Sequence, residues 1–441
     1  MTKSSLAIAI EALSWMAYSG MGERTALFKA AEQIGAAPGD LQQAHRLIME
    51  TTRFQNRLDH ILTRTLNPKQ LQRTPHGVTS FLRILAYLTY ITRARESELE
   101  RNVKWARQVL SWKELHPYEK SIALIASGTL RTNGQELTEI EQLAFDTCHP
   151  SWLVERLVAV FGRGFALQLL QRNLRPLATY IRTNPPRVDI AKPYALPAHI
   201  RYSPITQLAG VWRLDGPAEG LVRSKAWSEG EVVIQDLASI TTSLVASPNP
   251  GEKVLDLCAA PGNKTSHLAS IMRNKGEIYS IDTSQKRLTH WRREMERTSC
   301  SIATPICADA RSIPISIEAD LVLVDPPCSN TGVLAKNPSI KWRITPARVN
   351  ELVNRQYAIL HEASKHARSG GSLVYCTCSI LPEENEEVIE TFLSRNPEFK
   401  IVRQTPFLGS PGIRGFDKCQ RFYPNLHDCN GYFIAKLKKA D

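Results

Sequence analysis

The sequence predicts an α/β, Rossmann-like doubly wound domain preceded by an all-helical domain and a small intermediate subdomain. Three observations carry that prediction. Residues 1–145 place apolar side chains three and four apart with almost no alternation, residues 146–235 turn rich in Pro and Arg, and from 236 to 441 short β-branched runs alternate with helix-like stretches. With 43% hydrophobic residues in 441, the chain can bury a sizeable core, and a wholly disordered protein is excluded. The balance of 55 Lys+Arg against 43 Asp+Glu gives a formal charge of +12, which favours an anionic partner, nucleic acid before a membrane surface.

In the first segment, the apolar stretch from Leu6 to Ile10 is interrupted by Glu11, which reads as an amphipathic helix rather than an export signal. Farther on, Phe81, Leu82, Leu85 and Leu88 in SFLRILAYLTYI predict another helix. No run reaches the roughly 18 apolar residues of a membrane span. The nine cysteines are odd in number and six fall between 258 and 378, so reduced thiols in the cytoplasm are expected rather than a disulfide framework.

The middle segment carries Arg156, Arg163, Arg172, Arg175, Arg182 and Arg187 with no acidic residue between 156 and 188. A phosphate-contacting surface fits guanidinium chemistry, while a solvated face is the plainer reading. The interleaved Trp152, Phe161, Phe165 and Tyr180 fit base stacking or core.

In the third segment, strands are predicted at 254–257, 278–281, 304–307, 321–324 and 373–377, and ligands of such sheets bind beyond the strands' carboxyl ends. After the first strand come Cys258, Ala259, Ala260, Pro261, Gly262, Asn263 and Lys264, then a helical stretch whose free N–H groups would face a ligand. Asp282, 26 positions beyond Asp256, is placed for ribose hydroxyls, and Asp309 for the amino group of an adenine. The loop lacks both G-x-G-x-x-G and Gly-Lys-Ser/Thr, so a nucleoside without a pyrophosphate, such as S-adenosylmethionine, is the expected cofactor.

The fourth strand ends in Asp325, Pro326, Pro327 and Cys328, and the fifth in Cys376, Thr377 and Cys378. Paired prolines force a turn, so Cys328 and Cys378 are expected at neighbouring strand tips beside the cofactor. Cys300, Cys307 and Cys376 read as small buried hydrophobes, and C-x-C with Cys419 and Cys429 matches no standard zinc spacing, so no metal is expected. A thiolate beside a methyl donor has a defined use. Adding to carbon 6 of a cytosine, it makes carbon 5 nucleophilic, after which a second group must help to release the product.

DLCAAPGNKTSHL, DPPCSNTGVLAKNPSIKWR and VYCTCSILPEENE resemble the motifs of the Sun (Fmu) family of RNA 5-methylcytosine methyltransferases. EVVIQDLAS and NGYFIAKL extend the likeness across about 200 residues, from 235 to 439. The resemblance implies a class I methyltransferase domain over 236–441, a basic RNA-contacting subdomain over 146–235, and over 1–145 the NusB-like RNA-binding domain of the family's bacterial small-subunit ribosomal RNA type. It implies Cys378 as nucleophile, Cys328 as the cysteine assisting release, and a methyl-donor site at 258–264, Asp282, Asp309 and Asp325, with Asp325 also on the cytosine ring. Asn263 stands where the family usually has a second Gly. Lys336, Lys341, Arg343, Arg348 and Arg355, near Trp342, are expected along the RNA backbone at the mouth of the site. The expected partner is RNA, ribosomal by the resemblance, with a monomeric protein. A catalytically idle RNA-binding or assembly factor, and a methyltransferase for a non-RNA substrate, stay open at this level.

Overall fold

The computed structural model describes residues 1–130, 137–185, 200–216 and 218–441. Packing divides the chain into two compact units, Met1–Arg175 with Leu334–Arg343, and Pro176–Val333 with Ile344–Asp441. The divisions at 145 and 235 do not coincide with this packing. Helices Ser151–Phe161 and Arg163–Arg172 hide an apolar stripe of Leu153, Val154, Leu157, Leu169 and Leu170 and so belong to the first unit, whereas the extended pieces after Pro176 belong to the second.

The first unit is helical. Its opening helix Lys3–Ser19 starts in a capping box of Thr2 and Ser5 and stops at Gly20, whose φ of 67° suits glycine. Leu6, Ile8, Ile10 and Leu13 pack in one core with Phe81, Leu82 and Leu85 of His76–Ala86. The helix predicted through SFLRILAYLTYI departs from expectation at its end, where Tyr87–Ile91 forms a π-helical turn.

Segment Leu334–Arg343 packs within this unit and corrects the expectation that Lys341 faces RNA, while Arg343 is exposed. The Lys341 side chain is buried, and its Nζ donates to the carbonyls of Arg53, at 2.8 Å, and Cys148. Trp342 Nε1 donates to Thr52 O and Arg343 Nη1 to Gly20 O, each at 2.7 Å. A long aliphatic stem makes such burial tolerable once the head group meets carbonyls, and burial still pushes the Lys341 ammonium down to about 7.

The second unit holds two sheets. Strands β1 (Thr179–Thr183), β2 (Tyr202–Pro204), β3 (Val211–Leu214) and β4 (Val232–Ile234) form an antiparallel sheet in the order β2-β3-β1-β4. The larger sheet comprises β5 (Lys253–Leu257), β6 (Glu277–Asp282), β7 (Ala303–Cys307), β8 (Ala319–Val324), β9 (Ala367–Thr377), β10 (Phe399–Ile401), β11 (Ser410–Pro411), β12 (Gln420–Phe422) and β13 (Tyr432–Lys439). Its order is β11-β12-β13-β9-β8-β5-β6-β7, parallel from β7 to β9, with β13 antiparallel to β9 and β10 paired to β13. All five predicted strands are present.

Alternate residues serve opposite faces of this sheet. Leu255, Val322, Val324, Leu373 and Tyr375 pack with Ile359, Leu360 and Phe392, while Val254, Leu321, Leu323 and Val374 pack with Ala238, Ile240 and Leu268. The order reverses between β5 and β8, the switch point at which such sheets bind ligands.

A buried ion pair fastens β12 to helix Glu386–Arg395. Arg421 Nε lies 2.6 Å from Glu386 Oε1, both side chains are 1% exposed, and Arg421 also donates to Ile380 O. Leaving one charge buried alone is expensive, so Glu386→Gln is expected to lower stability by about 3–5 kcal/mol. Replacing both partners with Leu and Met should recover most of that loss, as chemical denaturation of the three proteins would show.

Candidate active site

The carboxyl ends of β5, β6, β8 and β9 carry the candidate residues. After β5, Cys258 adopts φ 62° and Gly262 φ 107°, a backbone that drops helix Asn263–Ile271 beside the strand end. A Cβ on Gly262 would meet Met295 at 2.7 Å and Trp291 at 3.0 Å, so the turn needs glycine. With Asn263 as the first helical residue, the family's second glycine is not required for this geometry.

A cavity here is lined by Ser239, Asp256, Cys258, Ala259, Ala260, Pro261, Asn263, Lys264 and Asp325. Lys264 Nζ lies 2.7 Å from Asp325 Oδ2. Burial works against the Lys264 ammonium, but the Asp325 carboxylate outweighs it and holds the pKa above its ordinary value. Asp256, at the base, accepts from Thr265 Oγ1 at 2.6 Å, and burial pushes its carboxyl up to about 7. Burial also drives the Cys258 thiol up to about 12, leaving it a neutral wall of the cavity.

Asp282 stands behind the loop, accepting the amides of Ala260 (3.2 Å) and Ser284 (3.0 Å) and facing Arg287. Asp309 lies past β7 and is chelated by Arg311 at 2.6–3.1 Å, which holds its carboxyl down at about 2. It is not among the residues lining the cavity. One lining residue escaped sequence reasoning, Ser239, of which the lead-in VIQDLAS was the only signal.

Arg182, expected on a phosphate-contacting surface, is instead buried in β1. Its Nε donates to Gln235 (2.7 Å) and Nη2 to Ser266 (2.8 Å), so its hydrogen bonds are made internally. Gln235 Nε2 passes the chain on to the Ser239 hydroxyl at 3.0 Å. Arg156, Arg163 and Arg175 are exposed, Arg163 pairs with Glu139, Arg172 is half-buried, and Arg187 lies outside the described residues.

The two cysteines meet. β8 and β9 are paired, with Val324 opposite Tyr375, and Cys328 Sγ lies 3.3 Å from Cys378 Sγ. Asn330 Nδ2 donates to Cys328 O at 2.9 Å, which turns its Oδ1 toward Cys378 Sγ, also at 2.9 Å. The Cys378 proton is therefore directed to Asn330, and the Cys328 thiol is left as donor to Cys378. Hydrogen bonding to Cys378 and then burial keep the Cys328 pKa well above that of an ordinary thiol. Among the other cysteines, Cys376 is buried as expected, Cys300 is half-buried, and Cys307 is exposed at the end of edge strand β7.

The buried Glu384 underlies the pair. Its carboxylate accepts from Ser329 N (2.7 Å), from the hydroxyls of Ser329 and Ser379, and from Gln356 Nε2 (2.9 Å). Gly332 N donates to Cys378 O at 2.9 Å, and Gly431 N to Gly332 O at 2.8 Å.

Parallel strands in this order, a glycine turn after the first and acidic residues at the carboxyl ends of the first, second and fourth define a class I, S-adenosylmethionine-dependent methyltransferase domain. The residues fit that cofactor: carboxylates suit its ammonium and sulfonium charges, and the bare Gly262 backbone admits close approach. The profile of the family described as 16S rRNA methyltransferase RsmB/F matches residues 243–438. The probable ribosomal RNA small subunit methyltransferase B of Bacillus subtilis is 30% identical over 339 residues, 73% of this chain and 74% of the relative. The chain belongs to this RsmB/F family. It is also 38% identical over 217 residues to the tRNA (cytosine(72)-C(5))-methyltransferase of Pyrococcus horikoshii, covering 49% of this chain and only about half (54%) of that relative. Among solved structures, that of PH0851 superposes with a TM-score of 0.86 at 28% identity, covering 100% of this chain and 99% of the other. The structure of NSun6 from Pyrococcus horikoshii with SFG, an S-adenosylmethionine analogue, gives 0.61 at 26%, covering 66% and 98%.

A Cβ on Gly332 would lie 1.9 Å from Gly431 O and 2.8 Å from Cys378 O, both backbone atoms. Gly332→Ala is therefore expected to force the two cysteine-bearing loops apart, lowering stability by roughly 1–3 kcal/mol and abolishing methyl transfer. A stably folded variant with wild-type turnover would show that the loops need not meet this closely.

Proposed function

We propose that this protein transfers a methyl group from S-adenosylmethionine to carbon 5 of a cytosine in RNA, with small-subunit ribosomal RNA as its substrate. The observation that carries this reading is the pair of thiols 3.3 Å apart at adjoining strand tips, beside a cavity that ends on Asp325. Bound in that cavity, the cofactor supplies an electrophilic methyl group.

The protein's own groups divide the remaining work. Cys378, as thiolate, adds to carbon 6, and the ring electrons shift to carbon 5, which then attacks the methyl. Asp325 is placed to hydrogen-bond the cytosine ring and favour addition. The Cys328 thiol, donating toward Cys378, stabilises that sulfur as a thiolate both when it attacks and when it departs. The carbon-5 proton must leave before Cys378 is eliminated, and Cys328 is the second sulfur within reach to take it once its own proton has passed to solvent.

The names of the relatives support RNA over a small molecule, and an amino-group methyltransferase would have no use for Cys378. Reaching the base requires an unpaired or flipped-out cytosine, at a few kcal/mol when it is stacked. The helical unit is read as RNA-binding. The protein is read as a monomer of the cytoplasm, where its nine free thiols stay reduced.

Cys378→Ala is expected to abolish 5-methylcytosine formation, whereas Cys328→Ala should allow attack and accumulate a covalent protein–RNA complex visible on denaturing gels. Full activity of Cys378→Ala sinks the mechanism. Bisulfite sequencing of RNA from cells lacking the protein identifies the modified base.

A further inference from the structure

Several arginines in the helical unit are matched with carboxylates. Arg53 pairs with Glu50, Arg83 with Asp59, Arg107 with Glu119 and Arg163 with Glu139. One place differs. A cavity of about 620 Å³ is lined by Arg46, Arg93, Arg95 and Arg101, with Glu98 as its one lining carboxylate, and among the described residues none of these four guanidinium groups forms an ion pair.

The backbone is shaped to produce this convergence. The helix His76–Ala86 widens into the π turn Tyr87–Ile91, closed by Thr92 N on Tyr87 O at 3.1 Å. Arg93 then takes φ 53°, and Ala94 N returns to Leu88 O at 2.9 Å. This local reversal places Arg93 and Arg95 on the cavity, and Arg95 is the N-cap of helix Glu96–Val109, whose positive end opens there. From helix Pro38–Arg53, Arg46 reaches the same cavity beside the buried Tyr87. π turns and left-handed non-glycine residues are unfavourable on their own and concentrate at functional sites.

We propose that this cavity is an anchor for the sugar–phosphate backbone of a single-stranded RNA segment, separate from the cytosine-modifying site. Four unpaired guanidinium groups repel one another until an anion arrives, and their forked donors match phosphate oxygens in pairs. The volume lies within the roughly 300–1,000 Å³ of ligand pockets and admits a nucleotide unit rather than an isolated ion. The inference deepens the RNA-substrate reading and rests on it.

The test measures binding of a fluorescently labelled single-stranded RNA to the full chain from 50 to 300 mM KCl. The comparison is with Arg93→Ala/Arg95→Ala and with a charge-matched control, Lys400→Ala/Lys418→Ala, on exposed lysines of the other unit. Each lost phosphate contact on a single strand should flatten the log–log salt slope by about 0.7, so the arginine variant should lose about 1.4 while the control keeps the wild-type slope. Arg46→Ala/Arg101→Ala should repeat the loss, which keeps the test decisive if the first variant misfolds. Equal slopes in wild type and both arginine variants, or an equal loss in the control, overturn the anchor and leave the methyltransferase reading intact. Failure of the wild type to bind RNA or form 5-methylcytosine overturns both. AMP binding that the arginine substitutions abolish without affecting RNA would assign the cavity to a free nucleotide and overturn it as an RNA anchor.

Discussion

One buried carboxylate holds the candidate active site together. The side chain of Glu384 takes hydrogen bonds from Ser329 on the loop after β8 and from Ser379 on the loop after β9. Parallel neighbours bring the strand tips near, but tips of polar sequence would diverge into water without a shared acceptor. With both serines committed to one carboxylate, and with Gly332 and Gly431 bare enough for the backbones to touch, Cys328 and Cys378 are left facing each other. Gln356 supplies a further donor, so the buried charge is compensated by four hydrogen bonds.

This arrangement separates two tasks that a single cysteine could not perform alone. The nucleophile needs a group that directs its proton, and Asn330, itself held in a left-handed turn at φ 58°, points its amide oxygen there. In the proposed mechanism the second thiol stays protonated until the first has reacted, and its hydrogen bond to Cys378, together with burial, raises its pKa. Asp325 pairs with Lys264 where both line the cavity. The chain that forms the Cys328 loop leaves this unit at Val333 and returns at Ile344, having contributed a segment to the helical unit.

The parallel core was legible because β5, β6, β8 and β9 bury both faces, so short β-branched runs stand out between amphipathic helices. The candidate site was legible where residue type and strand end coincide, as for Asp325 on the cavity and for the facing Cys328 and Cys378. Long cations were misread. Arg182 and Lys341 look like surface charge in sequence, but each is buried and hydrogen-bonded to internal side chains or carbonyls that only the folded chain assembles. Asp309 sits where expected along the chain, yet Arg311, two residues on, engages it in a chelate that no spacing rule anticipates. The π turn at Tyr87 was likewise invisible, since its side chains keep a helical pattern. The boundary at Arg175 was missed because Arg-rich helices conceal an ordinary apolar stripe.

The central claim is that Cys378 attacks the base while Cys328 serves it. RNA carrying 5-fluorocytidine at the target tests this directly, because fluorine cannot leave as a proton does and the adduct persists. Peptide mass spectrometry of the complex formed with S-adenosylmethionine should place the methylated nucleotide on Cys378 alone, in near-stoichiometric yield. A nucleotide attached to Cys328, or ready methylation of ordinary RNA with no adduct on the fluorinated one, would contradict the account.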